Sequence, residues 1–189
     1  MERAEQDKAR PCGNIYLIGY RCTGKTTAGR ALANLISRPF VDADEEFFLR
    51  TGSTIAKLVE ERGWSAFRKK EKEILSELAK TPGLVVAPGG GAVLDPGNRD
   101  IMRKTGLVVW LRASPRTIRE RLVLDAVTAD QRPSLTGARS AEDEVEAVLA
   151  EREPLYREAA HKELDTEELS PGDVAGIVAQ WIDKQGCRL

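Results

Sequence analysis

Histidine is nearly missing from this chain: His161 is the only one in 189 residues. It has no evident metal or charge-relay partner in the sequence and is expected at the surface or at a strand edge. Cysteine is scarce too. Cys12, Cys22 and Cys187 are far apart, odd in number and form no C-x-x-C pair, which argues against a disulfide framework or a zinc site. A reduced, cytoplasmic protein is the expectation. No apolar run approaches the ~20 residues that a membrane span requires. Met1 to Arg10 is charged and lacks the apolar stretch of a secretory signal, so it reads as a frayed tail. Charge of one sign is also lacking. The net charge of -1 leaves no basic excess for a nucleic-acid binder, and neither nucleic acid nor membrane is an expected partner.

Apolar residues make up 41% and charged residues 31%, the balance of a globular domain with a full core. There is no internal repeat or low-complexity linker. The expected organisation is a tail over 1–13, one domain over 14–184 and a short tail over 185–189, without need of a second subunit. Ile15 to Ile18, Phe40-Val41, Leu84 to Ala87 and Leu107 to Leu111 are short apolar runs, too continuous for sheet faces open to water. Between them run helical patterns: Ala28, Ala31, Leu32 and Leu35; Ile55, Leu58 and Val59; Phe67, Ile74, Leu75 and Leu78. Glu71 falls within the last set, but only its apolar members are expected to face the core. Ser114-Pro115 and Ser170-Pro171 each read as an N-cap with proline at the first helical position. Alternating strands and helices predict an α/β fold with a parallel sheet covered on both faces. Asp125 to Ser140 breaks this rhythm, polar and turn-rich, as a functional or mobile loop would be.

Gly19-Tyr20-Arg21-Cys22-Thr23-Gly24-Lys25-Thr26 fits G-x-x-x-x-G-K-[ST] between an apolar strand and a helix. Gly19 and Gly24 allow backbone geometries that turn successive N–H groups toward phosphate oxygens. The helix that starts there adds unpaired N–H groups and a dipole that favours an anion. Lys25 would bridge the β- and γ-phosphates and Thr26 would ligate Mg²⁺. Cys22 is either a thiol activated by the helix N-terminus and Lys25, or simply a small residue that fits the turn.

Further candidates follow. Asp42 and Asp44 flank Ala43 just past a strand, where an open α/β sheet places its ligands. Alternation would put both carboxylates on one side of an extended segment; a helix-capping pair is the other reading. A solvated helix face is the default reading of the basic run Arg68-Lys69-Lys70. Gly89-Gly90-Gly91 allows close backbone approach to a ligand, or is only a flexible turn.

In order along the chain stand G-Y-R-C-T-G-K-T-T, V-D-A-D, T-G-S-T-I-A-K-L-V, A-F-R-K-K-E, P-G-G-G-A-V, Q-R-P-S-L-T-G and R-E-P-L-Y-R. This series, spanning about Asn14 to Lys184, resembles the shikimate kinase family. The resemblance implies a three-layer P-loop kinase sandwich with a central parallel sheet of about five strands and a mobile lid over about 125–140. It also implies ATP-dependent phosphorylation of the 3-hydroxyl of shikimate, a step towards chorismate and the aromatic amino acids. The implied nucleotide contacts are Gly19, Arg21, Cys22, Thr23, Gly24, Lys25, Thr26 and Thr27, with Arg121 near adenine. Arg132 would be the lid arginine over the phosphates, and Asp42 would lie near Mg²⁺ with Thr26. Asp44 would be the candidate base, and Arg68 and Arg157 would clamp the shikimate carboxylate, with Gly90 donating from its backbone. Lys25, Asp44 and Arg132 would form the catalytic set. Three rivals remain: a gluconate or nucleotide kinase of the same architecture, a non-catalytic ligand sensor, and a nucleotide-hydrolysing switch. The sensor would usually be fused to a DNA-binding segment, and the switch needs a well-placed D-x-x-G, which is not found.

Overall fold

The computed structural model describes residues 13–124 and 141–186, without the side chains of 141–143. The expected lid with Arg132, most of the N-terminal tail and the last three residues lie outside the described residues.

Five strands form one parallel sheet in the order β2-β3-β1-β4-β5. They are β1 (Asn14–Ile18), β2 (Phe40–Asp42), β3 (Val85–Ala87), β4 (Gly106–Arg112) and β5 (Lys162–Asp165). Four of them coincide with the apolar runs. The fifth, Lys-Glu-Leu-Asp, is a half-buried edge strand with no such run, and its position was not legible in the sequence. His161 immediately precedes it at that edge, where its Nδ1 accepts from the Val108 N–H at 3.0 Å.

Alternation along the strands divides the core. Ile15 and Leu17 face α1 (Lys25–Leu35) and the C-terminal helix α7 (Pro171–Lys184). Tyr16 and Ile18 face the opposite layer, built from α3 (Ile55–Leu78), α4 (Pro96–Thr105) and α6 (Ala141–Ala159). Two short helices complete the fold, α2 (Ala43–Thr51) and α5 (Pro115–Leu124). The result is a three-layer α/β sandwich with helices on both faces of a parallel sheet. Leu35, expected on the inner stripe of α1, is 58% exposed at the last position of that helix.

Two local details shape the site. The two helical patterns around Gly63 run on as α3, with a break at Gly63 itself (φ 77°), a left-handed geometry suited to glycine. Asp42 does not continue an extended segment into Asp44. It caps α2, accepting from the Asp44 and Glu45 N–H groups, and Asp44 lies in the first helical turn. The expectation of two carboxylates alternating on a strand is therefore corrected: a helix starts between them, and the cap orients one while the helix orients the other.

Candidate active site

The phosphate loop follows β1, the glycine triplet follows β3, and Asp42 ends β2, so all three meet at the C-terminal edge of neighbouring strands. An open cavity of about 990 Å³ spreads from there across the loop. A smaller one of about 70 Å³ lies beside it, and Arg21, Asp44, Ile55 and Gly90 line both.

In the loop, Gly19 (φ 146°) and Gly24 (φ 89°) hold backbone geometries that a side chain would strain. A Cβ on Gly19 would also meet the Leu111 carbonyl oxygen at 2.3 Å. Cys22 takes a positive φ of 60° without being glycine, so its position costs about 1 kcal/mol of backbone strain. Thr23 is structural: its buried hydroxyl donates to the Tyr20 carbonyl at 2.8 Å. Lys25 Nζ donates to the carbonyls of Gly19 (2.9 Å) and Tyr20 (2.7 Å), which places its charge inside the loop. The Thr27 hydroxyl turns back to the Gly24 carbonyl at 3.1 Å. Arg121 bridges the loop to the segment after β5, donating to the carbonyls of Cys22 (3.3 Å) and Thr166 (2.9 Å). Thr166, Leu169 and Pro171 line the same cavity as Arg121.

Thr26 and Asp42 meet as expected. The Thr26 hydroxyl donates to Asp42 Oδ2 at 2.7 Å, at the wall of the large cavity. Two hard oxygen donors beside a phosphate loop fit Mg²⁺, which takes one or two protein oxygens and completes its shell with phosphate and water. No group of three or more His, Cys, Asp or Glu side chains able to hold a metal occurs among the described residues.

The smaller cavity is built from charges on separate elements. Arg68, on α3, donates to Glu71 Oε2 at 2.7 Å and packs its guanidinium 5.2 Å from the Trp64 ring centre and 5.1 Å from that of Phe67. Glu71 is 6% exposed. This corrects the expectation that only apolar members of that helical set face inward. Burial pushes its carboxyl up to about 7, against the pull of Arg68. Two glycines of the triplet, Gly89 and Gly91, sit close against these side chains. A Cβ on Gly89 would lie 2.6 Å from Glu71 Oε1 and 3.0 Å from Asp44 Oδ1, and one on Gly91 would lie 2.2 Å from Arg68 Nη2.

Arg157 is not in this cavity. Its side chain is 58% exposed, bonds Glu163 at 3.1 Å and lies over the outer side of Trp110. Arg152 is there instead, 6% exposed, with Nη1 at 3.4 Å from the Gly90 carbonyl. Tyr156 Oη donates to the same carbonyl at 2.6 Å. The physical reason is helical phase. Val145, Val148, Leu149, Arg152 and Tyr156 recur at spacings of three and four on the buried stripe of α6, and Arg157 falls one residue off it. That stripe was the sequence signal that separates the two arginines of R-E-P-L-Y-R.

A model of the shikimate kinase family matches residues 21–183, most of the chain. The chain belongs to the shikimate kinase family. Shikimate kinase 2 of Syntrophotalea carbinolica is 49% identical over 171 residues, covering 90% of this chain and 97% of its own. Among solved structures, a shikimate kinase from Acinetobacter baumannii in complex with shikimate aligns with a TM-score of 0.84 at 36% identity, covering 92% of this chain and 94% of that one. The shikimate kinase from Bacteroides thetaiotaomicron aligns at 0.77 and 31% identity, covering 92% and 98%. Membership in this kinase family agrees with the two-cavity geometry. No helix among the described residues is long and apolar enough to cross a membrane.

Proposed function

We propose that the two joined cavities transfer the γ-phosphoryl group of ATP to the 3-hydroxyl of shikimate, giving shikimate 3-phosphate and ADP. The observation that carries this reading is the seam: Asp44 and Gly90 line both cavities, so a nucleotide on the phosphate loop and an acceptor in the small cavity meet at one carboxylate. The small cavity suits a compact ring acid, with Trp64, Phe67 and Ile55 for the ring and Arg68 and Arg152 for the carboxylate. Two guanidinium forks bind a planar carboxylate better than lysines do. Arg152 replaces Arg157 in that role.

Phosphoryl transfer needs positioning and charge neutralisation more than covalent chemistry. Lys25 offsets phosphate charge from within the loop, and Arg132 does so from the segment over 125–140. Asp44 orients the acceptor hydroxyl and takes its proton as the O–P bond forms. Thr26 and Asp42 would hold Mg²⁺, which when bound screens the phosphate oxygens. Arg121, together with Pro171, would flank the adenine. The setting is a reduced cytoplasm, where ATP is available.

The test is ADP release with ATP, Mg²⁺ and shikimate, against gluconate and nucleoside monophosphate controls. Shikimate-dependent ADP well above both controls is expected. Equal release in all arms removes the reading.

A further inference from the structure

The acceptor cavity carries a charge problem that the reaction above does not resolve. Of its three arginines, Arg21 is already paired with Glu144. What remains among the described side chains that line it is Arg68 and Arg152 against Asp44 and Glu71, two cations facing two carboxyls. An acceptor carboxylate seated between the two arginines adds a further negative charge to this set. Excess charge in a buried site costs several kcal/mol unless it is neutralised.

Glu71 is the group able to relieve it. Its Oε1 is buried and has no hydrogen-bond partner among the described residues, whereas Oε2 is held by Arg68. Three charged groups face it: Arg68 from its own helix, Asp44 from α2 and Arg152 from α6. The segment after β3 contributes only Gly89, against which Glu71 Oε1 and Asp44 Oδ1 both crowd. Docking of the acceptor would draw Arg68 partly away from Glu71 and place a second negative charge nearby. Both changes favour the protonated form.

Resting on the acceptor reading above, we propose that Glu71 is a positioning residue that takes up one proton from solvent as the acceptor carboxylate docks on Arg68 and Arg152. The proton sits on Oε1, and Oε2 continues to accept from Arg68. Neutral Glu71 removes the like charge facing Asp44 across Gly89, beside the acceptor hydroxyl. Because burial already holds the Glu71 carboxyl at about 7 in the free protein, the uptake is largest above neutrality and small below it.

The experiment is calorimetric titration of shikimate into the full chain near pH ~7.5, in HEPES and in Tris, whose ionisation enthalpies differ widely. The expected result is uptake of about half a proton or more per site, falling toward zero near pH ~6. Above neutrality the dissociation constant should rise with pH, by up to about tenfold per unit. Glu71→Gln keeps an oxygen for Arg68 but cannot titrate, so its dissociation constant should be flat over the same range and its proton uptake absent. Binding with identical heats in both buffers, or a Glu71→Gln protein that still takes up a proton, overturns the inference and leaves the acceptor reading intact. No binding of shikimate by the unaltered chain removes the acceptor reading, and this inference with it.

Discussion

The nucleotide half and the acceptor half of the cleft are built in opposite ways. The phosphate-binding part of the nucleotide half is one continuous stretch, Gly19 to Thr27, folded by its own backbone: Lys25, Thr23 and Thr27 all bond carbonyls of the same loop. The acceptor half takes Asp44 from α2, Arg68 and Glu71 from α3, the triplet after β3 and Arg152 from α6. One is open and about 990 Å³; the other is about 70 Å³ and lined by buried charge. A local motif positions phosphates through N–H groups and a helix dipole, which tolerate exposure. Recognition of a small acid needs desolvated side chains brought from a distance, where each charge constrains its neighbours.

The sharpest break in the comparison comes at the residue both halves share. Asp44→Asn should fold, bind ATP and shikimate, and lose turnover by about 10²–10⁴-fold. Steady-state kinetics on the purified variant checks this, and near-normal kcat would remove Asp44 as the base or orienting group. Next are the two arginines of α6. Arg152→Ala should raise KM for shikimate by about 30-fold or more, because a desolvated partner of a charged ligand is worth ~2–5 kcal/mol, with KM for ATP little changed. Arg157→Ala removes an exposed ion pair and should change either constant less than about threefold. The reverse pattern would return the clamp to Arg157. Gly89→Ala pushes a Cβ against Glu71 and Asp44 while leaving the phosphate loop untouched. We expect kcat/KM for shikimate to fall about tenfold at an unaltered KM for ATP; equal losses for both substrates would mean that the damage spreads across the seam. The smallest effect belongs to the nucleotide half. Cys22→Gly relieves a left-handed φ but frees the unfolded chain, for a net gain of about 0.5 kcal/mol in thermal unfolding. A loss of stability there would show that contacts of the thiol outweigh the strain.

The same contrast explains what could be read before folding. The phosphate loop, four strands and both Ser-Pro helix starts were legible because each signal sits within a few consecutive residues. Asp42 and Asp44 were found but misdrawn, since a cap and an extended strand end look alike until the following helix is seen. Glu71 was passed over because a charged residue on a helical stripe is usually solvated, and only Arg68 one turn back and Arg152 from another element make its burial tolerable. Arg157 was preferred to Arg152 on motif position, although the period of α6 favours Arg152. The edge strand β5 had no apolar run to announce it.

Product analysis tests the central claim most directly: after incubation with ATP and Mg²⁺, phosphorus–proton correlation by NMR locates the phosphate on the acceptor. The account predicts a single new phosphate ester on the 3-oxygen of shikimate, formed in step with ADP. An ester on another hydroxyl, or ADP formed without phosphorylated shikimate, would contradict it.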